Sequence, residues 1–197
     1  MVDDNIPNIY KFIIIGESVV GKSDILYHLK NHKYNTKEDE KHSTIGVDYI
    51  MNTINEINRP HQIQIWDLSG APRFRAMTKA YCRNALGAIV CFDLTKKKTF
   101  EALGDWISSL KSICDIHYQI LLLGNKNDLD KKIEVNQEEI EHLVKQNSNM
   151  TYFPCSAKTG DNIFESLYFF IRKIYCILVN KNSKKKKLLF SFEKENI

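Results

Sequence analysis

The segment GESVVGKS, Gly16–Ser23, constrains the fold of this chain more than any other part of its sequence. It matches the pattern G-x-x-x-x-G-K-[ST], in which backbone N–H groups and a helix N-terminus bind anionic phosphate. The apolar run Tyr10–Gly16 predicts a buried strand before it, and a helix is predicted over Gly21–Asn31 after it. In this context the pattern predicts a phosphate-binding loop, with Lys22 at the β- and γ-phosphates and Ser23 as a Mg²⁺ ligand.

The rest of the chain alternates short apolar runs with longer amphipathic stretches, which is typical of a mainly parallel sheet covered by helices. A hairpin is predicted from Tyr49–Ile57 and His61–Leu68, either side of a turn containing Pro60. The further predicted strands are Gly87–Leu94, Gln119–Asn125 and Thr151–Ser156. The further predicted helices are Thr99–Cys114, Asn136–Gln146 and Asp161–Val179. The sequence therefore predicts an α/β fold.

The positive charge of the chain is concentrated near its C-terminus. Five lysines in Lys181–Lys187 more than account for the formal net charge of +4, so the rest is near neutral. A broad basic surface of the kind that nucleic acid needs is therefore not expected. The polar composition after Asn180 predicts one folded domain over residues 1–180 and a basic, disordered tail over 181–197.

Cysteine usage and hydropathy indicate the compartment. The five cysteines are scattered without a C-x-x-C pair, which favours reduced thiols over a disulfide framework or a zinc site. The chain contains no apolar run near the about 18 residues that a membrane span requires. We expect a monomeric cytoplasmic protein.

Two later segments predict which base is bound, and each follows a predicted strand at the edge where open α/β sheets bind ligands. In GNKND, the carboxylate of Asp128 can accept hydrogen bonds from the guanine N1–H and exocyclic amine. Adenine lacks that donor pair, and such mismatches discriminate by about 10⁴-fold or more. In CSAK, the Ala157 N–H would reach the guanine oxygen. An ATP-using P-loop kinase or ATPase, the third interpretation of this chain, conflicts with Asp128.

These motifs resemble those of the Ras-like small GTPases, and within them the Rab family, over roughly Tyr10–Val179. GESVVGKS, the threonine of STIGVDY, WDLSG, NKND and CSAK occur in the order of that family. The segments Ile45–Tyr49 and Arg73–Ala85, together with FDLT, favour Rab. The resemblance implies a P-loop small-GTPase domain with a six-stranded, mostly parallel sheet and five helices. It also implies binding of GTP or GDP with Mg²⁺, and a role in vesicle or membrane traffic.

The resemblance further implies roles for individual residues. Thr44 would coordinate Mg²⁺ when a γ-phosphate is present, and the Gly70 N–H would sense that phosphate. Tyr34 would pack against guanine, Asn125 would tie the base-binding loop to the phosphate loop, and the stem of Lys126 would lie over the base. The predicted catalytic positions are Lys22, Thr44 and Ala71, and the predicted metal ligands are Ser23, Thr44 and, through water, Asp67. The predicted nucleotide-binding residues are Ser18, Val19, Val20, Gly21, Lys22, Ser23, Asp24, Tyr34, Thr44, Gly70, Asn125, Lys126, Asp128, Ser156, Ala157 and Lys158.

One departure from the family pattern concerns hydrolysis. Ala71 stands where the family has the glutamine that positions the attacking water. Because losing one preorganised stabilising group costs about 10²–10³-fold in rate, we predict slow intrinsic GTP hydrolysis unless a partner supplies the missing group. The alternative is a non-hydrolysing pseudo-GTPase that serves as a scaffold for partner proteins. Uptake of Mg²⁺-GTP with a change of shape distinguishes the two.

Two other departures concern the phosphate loop. Val19 occupies a position that is usually small, and a β-branched residue is strained there if the backbone needs a positive φ. A slightly relaxed loop with intact binding is the alternative. Asp24 places a carboxylate beside the phosphates. Together they suggest weakened affinity or fast nucleotide exchange.

The last departure is the C-terminal segment KKKKLLFSFEKENI, which contains no cysteine for a prenyl anchor. Its lysines could favour an anionic membrane surface by about 1 kcal/mol each, giving weak, reversible contact with an endomembrane. A solvated charged tail is the alternative. The resemblance implies that GTP-state effectors, exchange factors and activating factors bind through the switch regions.

Overall fold

A computed structural model describes residues 7, 9–36, 47–54, 61–68, 80–113 and 118–180 of the chain, and the backbone of 181–194. Its strands are β1 (Ile9–Ile15), β2 (Val47–Ile54), β3 (His61–Leu68), β4 (Gly87–Asp93), β5 (Gln119–Asn125) and β6 (Met150–Pro154). Its helices are α1 (Lys22–Asn31), α2 (Lys97–Glu101), α3 (Leu103–Ile113), α4 (Gln137–Gln146) and α5 (Ile163–Lys194), with a 3₁₀ helix at Asn127–Lys132.

The six strands form one sheet in the order β2-β3-β1-β4-β5-β6. Only the β2–β3 pair is antiparallel, so the predicted six-stranded, mostly parallel sheet and its hairpin are confirmed. In the parallel registers Ile14 pairs with Asp67, and Asp93 pairs with Asn125. Because the carboxyl ends of parallel strands meet at one edge, the segments that follow β1, β4 and β5 converge there.

Hydrophobic clusters cover both faces of the sheet. Along β1, Tyr10, Phe12 and Ile14 belong to the cluster under α1 and α5, whereas Ile13 and Ile15 belong to the cluster under α3 and α4. Every residue of β4 and β5 is buried, as expected for parallel strands with helices on both faces. The site edge is therefore supported from two packed layers.

The helix predicted over Thr99–Cys114 is two helices in the structure, α2 and α3, separated at Ala102. Ala102 directly precedes the first turn of α3, which contains Gly104, and glycine is the weakest helix former after proline. The periodic pattern alone did not reveal this break.

The final helix is longer than predicted. The sequence predicts its end at Val179, whereas the backbone of α5 is helical to Lys194. Residues 181–194 contain neither glycine nor proline and are rich in lysine and leucine, which are good helix formers. Among the residues that the structure describes, no helix is both long and apolar enough to cross a membrane.

Candidate nucleotide-binding site

The phosphate loop turns sharply between β1 and α1. Gly16 has a φ of 140°, and a Cβ at this position would lie 2.1 Å from the carbonyl oxygen of Cys91 on β4. Lys22 folds back over the loop, and its Nζ donates to the carbonyl oxygens of Gly16 (3.0 Å) and Glu17 (2.8 Å). Burial lowers the pKa of Lys22 below its ordinary value, although the nearby charge of Asp67 acts in the opposite direction. The loop therefore holds a buried amine at its centre.

Val19 lies at the exposed tip of this loop. Its φ is 66° and its side chain is 72% exposed. The backbone therefore meets the condition under which a β-branched residue is strained, at a cost of about 1–3 kcal/mol. The positive φ is therefore present, and its effect on nucleotide binding stays a prediction.

Two predicted metal ligands lie side by side. The Ser23 hydroxyl, at the start of α1, donates to Oδ2 of Asp67, near the end of β3, over 2.5 Å. Both side chains offer oxygen, the ligand that Mg²⁺ prefers, so this donor set fits Mg²⁺. In the described residues no group of three or more His, Cys, Asp or Glu side chains forms a metal-binding cluster. This pairing agrees with a cation held by one or two protein oxygens and by phosphate.

Asn125, the last residue of β5, joins two loops. Its Nδ2 donates to the carbonyl oxygen of Val20 over 2.8 Å, and its Oδ1 accepts from the Ala157 N–H over 3.0 Å. The predicted tie between the base-binding loop and the phosphate loop is thus a pair of hydrogen bonds from one buried amide. In this structure the Ala157 N–H, which the sequence assigns to guanine, is directed at Asn125.

Lys126 follows Asn125 and is anchored by a residue that sequence reasoning missed. Its Nζ lies 2.6 Å from Oδ2 of Asp93, the last residue of β4, and 3.2 Å from the Val19 carbonyl oxygen. Burial acts to raise the pKa of Asp93, but hydrogen bonds from Lys126 and Thr95 outweigh it, and the pKa lies below its ordinary value. A signal was present, because Asp93 ends a buried strand at the ligand-binding edge.

The predicted base-binding residues line one cleft of about 210 Å³. Oδ1 of Asp128 accepts from the Ser156 hydroxyl over 2.7 Å, so the two base motifs hold each other in place. Leu129, which was not predicted, also lines the cleft. The cleft is lined by Asp24, Tyr34, Asn125, Lys126, Asp128, Leu129, Ser156, Ala157 and Lys158.

His28 on α1 contacts the base-binding segment that contains Ala157. Its Nδ1 lies 3.0 Å from the Ala157 carbonyl oxygen, and its ring is buried. Gly160 leaves room for that ring, since a Cβ there would lie 2.6 Å from His28 Nε2. Sequence reasoning gave neither residue a role, and a histidine on the inner face of a helix was the only available signal.

Three predicted positions, Thr44, Gly70 and Ala71, lie outside the described residues. Ser18 is exposed on the phosphate loop, next to Val19. The structure therefore brings together the predicted phosphate-binding loop, the predicted base-binding residues, and two of the predicted metal ligands, Ser23 and Asp67.

Comparison with known proteins agrees with this geometry. The Ras family model matches residues 11–176. The GTP-binding protein ypt3 of Schizosaccharomyces pombe is 34% identical over 180 residues, which cover 91% of this chain and 82% of the relative. The human Ras-related protein Rab-4A is 36% identical over 166 residues, which cover 84% of this chain and 74% of the relative. The Ras-related protein RABA1b of Arabidopsis thaliana is 33% identical over 180 residues, covering 91% and 82%.

Proposed function

Because this chain belongs to the Ras family, and within it to the Rab GTPases, we propose that it is a guanine-nucleotide-binding switch in vesicle traffic. The observation that carries the proposal is the double tie of Asn125, which fixes the phosphate loop and the base loop relative to each other. A site built in this way binds both ends of one nucleotide, and GTP and GDP are the ligands expected.

Mg²⁺ would be held by Ser23, by Asp67 through a water molecule, and by Thr44 in the GTP state. When bound, the ion neutralises charge on the β- and γ-phosphate oxygens. Lys22 contributes a second cation at the same phosphates, and it is already buried at the centre of the loop. Together these side chains would orient the phosphates.

Selectivity for guanine is assigned to Asp128. Its carboxylate is positioned by the Ser156 hydroxyl at the wall of the cleft. An adenine base would leave this carboxylate without the donors that guanine supplies, so ATP is a poor ligand.

Hydrolysis is expected to be slow, because Ala71 has no amide to position water. A protein that binds GTP and rarely hydrolyses it stays in the effector-binding state until a partner supplies the missing group or the nucleotide dissociates. The second candidate function, a pseudo-GTPase scaffold, is favoured by the strained backbone of Val19. That strain and the Asp24 carboxylate at the cleft also support fast exchange of nucleotide.

Effectors and exchange or activating factors are expected at the surface beside the switch segments. There Trp66 stacks on Tyr49 with 5.0 Å between ring centroids, and Tyr81 lies 5.6 Å from Trp66. Nζ of Lys11 lies 5.3 Å from the Trp66 ring. This row of aromatic rings, with Tyr49 at 49% exposure, offers the kind of contact area that protein interfaces favour.

We also propose that the protein is cytoplasmic and makes weak, reversible contact with an endomembrane. The lysines of 184–187 lie in the part of α5 that extends beyond residue 180. Their attraction to anionic lipid is electrostatic, so contact should weaken as salt is added.

The test is to purify the protein with Mg²⁺, denature it, and identify the released nucleotide by chromatography. Bound GTP is expected if the Ala71 substitution stalls hydrolysis, and bound GDP would contradict slow turnover. Asp128→Ala should release no guanine nucleotide, whereas Asp130→Ala, in the same 3₁₀ helix and exposed, should retain it. An empty wild-type site, with no uptake of added GTP, would favour the scaffold.

A further inference from the structure

One tryptophan connects the helical layer to the phosphate loop. Trp106 belongs to α3 and is 3% exposed, within the cluster that also contains Ile107 and Leu110. Its Nε1 donates to Oε1 of Glu17 over 3.0 Å, across 89 residues of sequence. Because the acceptor is a carboxylate, this is a charge-assisted bond, about twice as strong as a neutral one.

The two halves of the phosphate loop are anchored differently. The second half is tied to residues after β5, since the carbonyl oxygens of Val19 and Val20 accept from Lys126 and Asn125. The first half bonds to Lys22, through the carbonyl oxygens of Gly16 and Glu17, but Lys22 itself belongs to the loop motif. The Glu17–Trp106 bond ties the first half to α3.

Glu17 takes part in both interactions at once. Its side chain binds the Trp106 indole, and its carbonyl oxygen accepts from Lys22 Nζ over 2.8 Å. Glu17 is thus linked through its side chain to Trp106 and through its carbonyl oxygen to the Lys22 amine. We propose that Trp106 is a positioning residue for nucleotide binding, which acts through Glu17 on Lys22 and slows nucleotide release. This inference rests on the proposed function.

The competing explanation is that Trp106 is only a core residue. Its indole ring packs with the α3 cluster, and loss of that packing would destabilise the whole domain. The two explanations differ at Glu17, because a packing role does not depend on the residue that accepts from the indole N–H.

The experiment measures the dissociation rate of a fluorescent GDP analogue in excess unlabelled GDP with Mg²⁺. Trp106→Phe keeps an aromatic ring but removes the donor, and Glu17→Ala removes the acceptor from a part-exposed loop position. Each should speed dissociation about tenfold, the effect of one charge-assisted hydrogen bond. The double variant should be no faster than either single variant. Glu17→Gln, which keeps an acceptor oxygen but not its charge, should restore part of the slow rate.

Leu110→Ala is the matched control, since Leu110 lies one turn further along α3 and is also buried. It should lower the unfolding midpoint without changing the dissociation rate. In proton NMR spectra, the indole N–H resonance of Trp106 is identified as the one that disappears in Trp106→Phe. This resonance should shift upfield in Glu17→Ala, because the indole N–H loses its acceptor.

Three results would overturn the inference. The first is a Glu17→Ala variant that releases the GDP analogue at the wild-type rate. The second is a Trp106→Phe substitution that speeds release equally in the wild type and in the Glu17→Ala variant. The third is a Leu110→Ala variant that speeds release as much as Trp106→Phe does. A wild-type protein that binds no guanine nucleotide at all would overturn the proposed function and this role together. Normal binding with unchanged rates in the variants would overturn this role alone.

Discussion

Gly21 and Asn125 lie so close together that a Cβ at Gly21 would stand 2.3 Å from Nδ2 of Asn125. The same Nδ2 donates to the Val20 carbonyl oxygen, one residue before Gly21. Position 21 therefore requires glycine for two reasons. A side chain there would collide with Asn125 of the base-binding loop, and the backbone has a φ of 96°. Two motifs that are separated by more than a hundred residues form one unit.

Gly21→Ala should accordingly disable both motifs. The methyl group would displace the Asn125 amide from Val20 and Ala157 and add strain at a positive φ, lowering the free energy of unfolding by at least about 2 kcal/mol. Urea denaturation measures this loss, and guanine nucleotide should no longer copurify.

Gly104→Ala is the matched control, because no atom within 4 Å would meet its Cβ. In the helix it should raise stability by about 0.5–1 kcal/mol. A Gly21→Ala variant that keeps its nucleotide would contradict the interlock.

Val19→Gly should relieve strain in the phosphate loop. Glycine accepts the φ of 66° without the Cβ clash, so the gain of about 1–3 kcal/mol should exceed the entropic cost of a new glycine. The free energy of unfolding is expected to rise by about 1 kcal/mol and nucleotide dissociation to slow. Ser18→Gly, at the neighbouring exposed position, brings the entropic cost without strain relief and should be slightly destabilising. Equal effects of the two substitutions would show that Val19 is not strained.

Ala71→Gln should restore hydrolysis. The new amide can position water, and a single-turnover assay should show GTP hydrolysis about 10²–10³-fold faster than in the wild type. Ala71→Leu provides the comparison of similar size without an amide. A wild-type rate equal to that of the glutamine variant would mean that another residue positions the water.

The Asp93–Lys126 pair predicts a pH dependence of stability. The pKa of Asp93 is lowered in the folded state, so the pair stabilises the fold above about pH 3.8, and the contribution is lost as pH falls further through the folded pKa. Asp93→Asn should cost about 1–3 kcal/mol at pH 7. Urea unfolding at pH 7 and pH 3 should show that difference shrink in acid. A difference that is independent of pH would exclude the ionised pair as its source.

The parts of the site that could be predicted are those encoded by short motifs in their order along the chain. Gly21, Lys22 and Ser23 sit in one motif, and β5 has its predicted bounds, because a fully buried apolar run ends at a polar residue. The missed contacts join residues far apart in sequence: His28 to Ala157 and Trp106 to Glu17. No local pattern specifies which buried donor meets which acceptor, since that depends on how helices pack over the sheet.

The end of α5 and the break before α3 were missed for a different reason. Helix boundaries depend on small differences in propensity, and the lysine-rich segment after Asn180 has the polarity of a disordered tail and the propensity of a helix.

Asp67 and Trp66 are successive residues of β3, so their side chains emerge on opposite faces of the sheet. Asp67 reaches Ser23 on one face, and Trp66 meets Tyr49 and Tyr81 on the other. Any sliding of β3 that changes the distance from Asp67 to Ser23 must also move the indole by a similar amount. A single peptide unit thereby joins the carboxylate beside Ser23 to the aromatic rings on the other face.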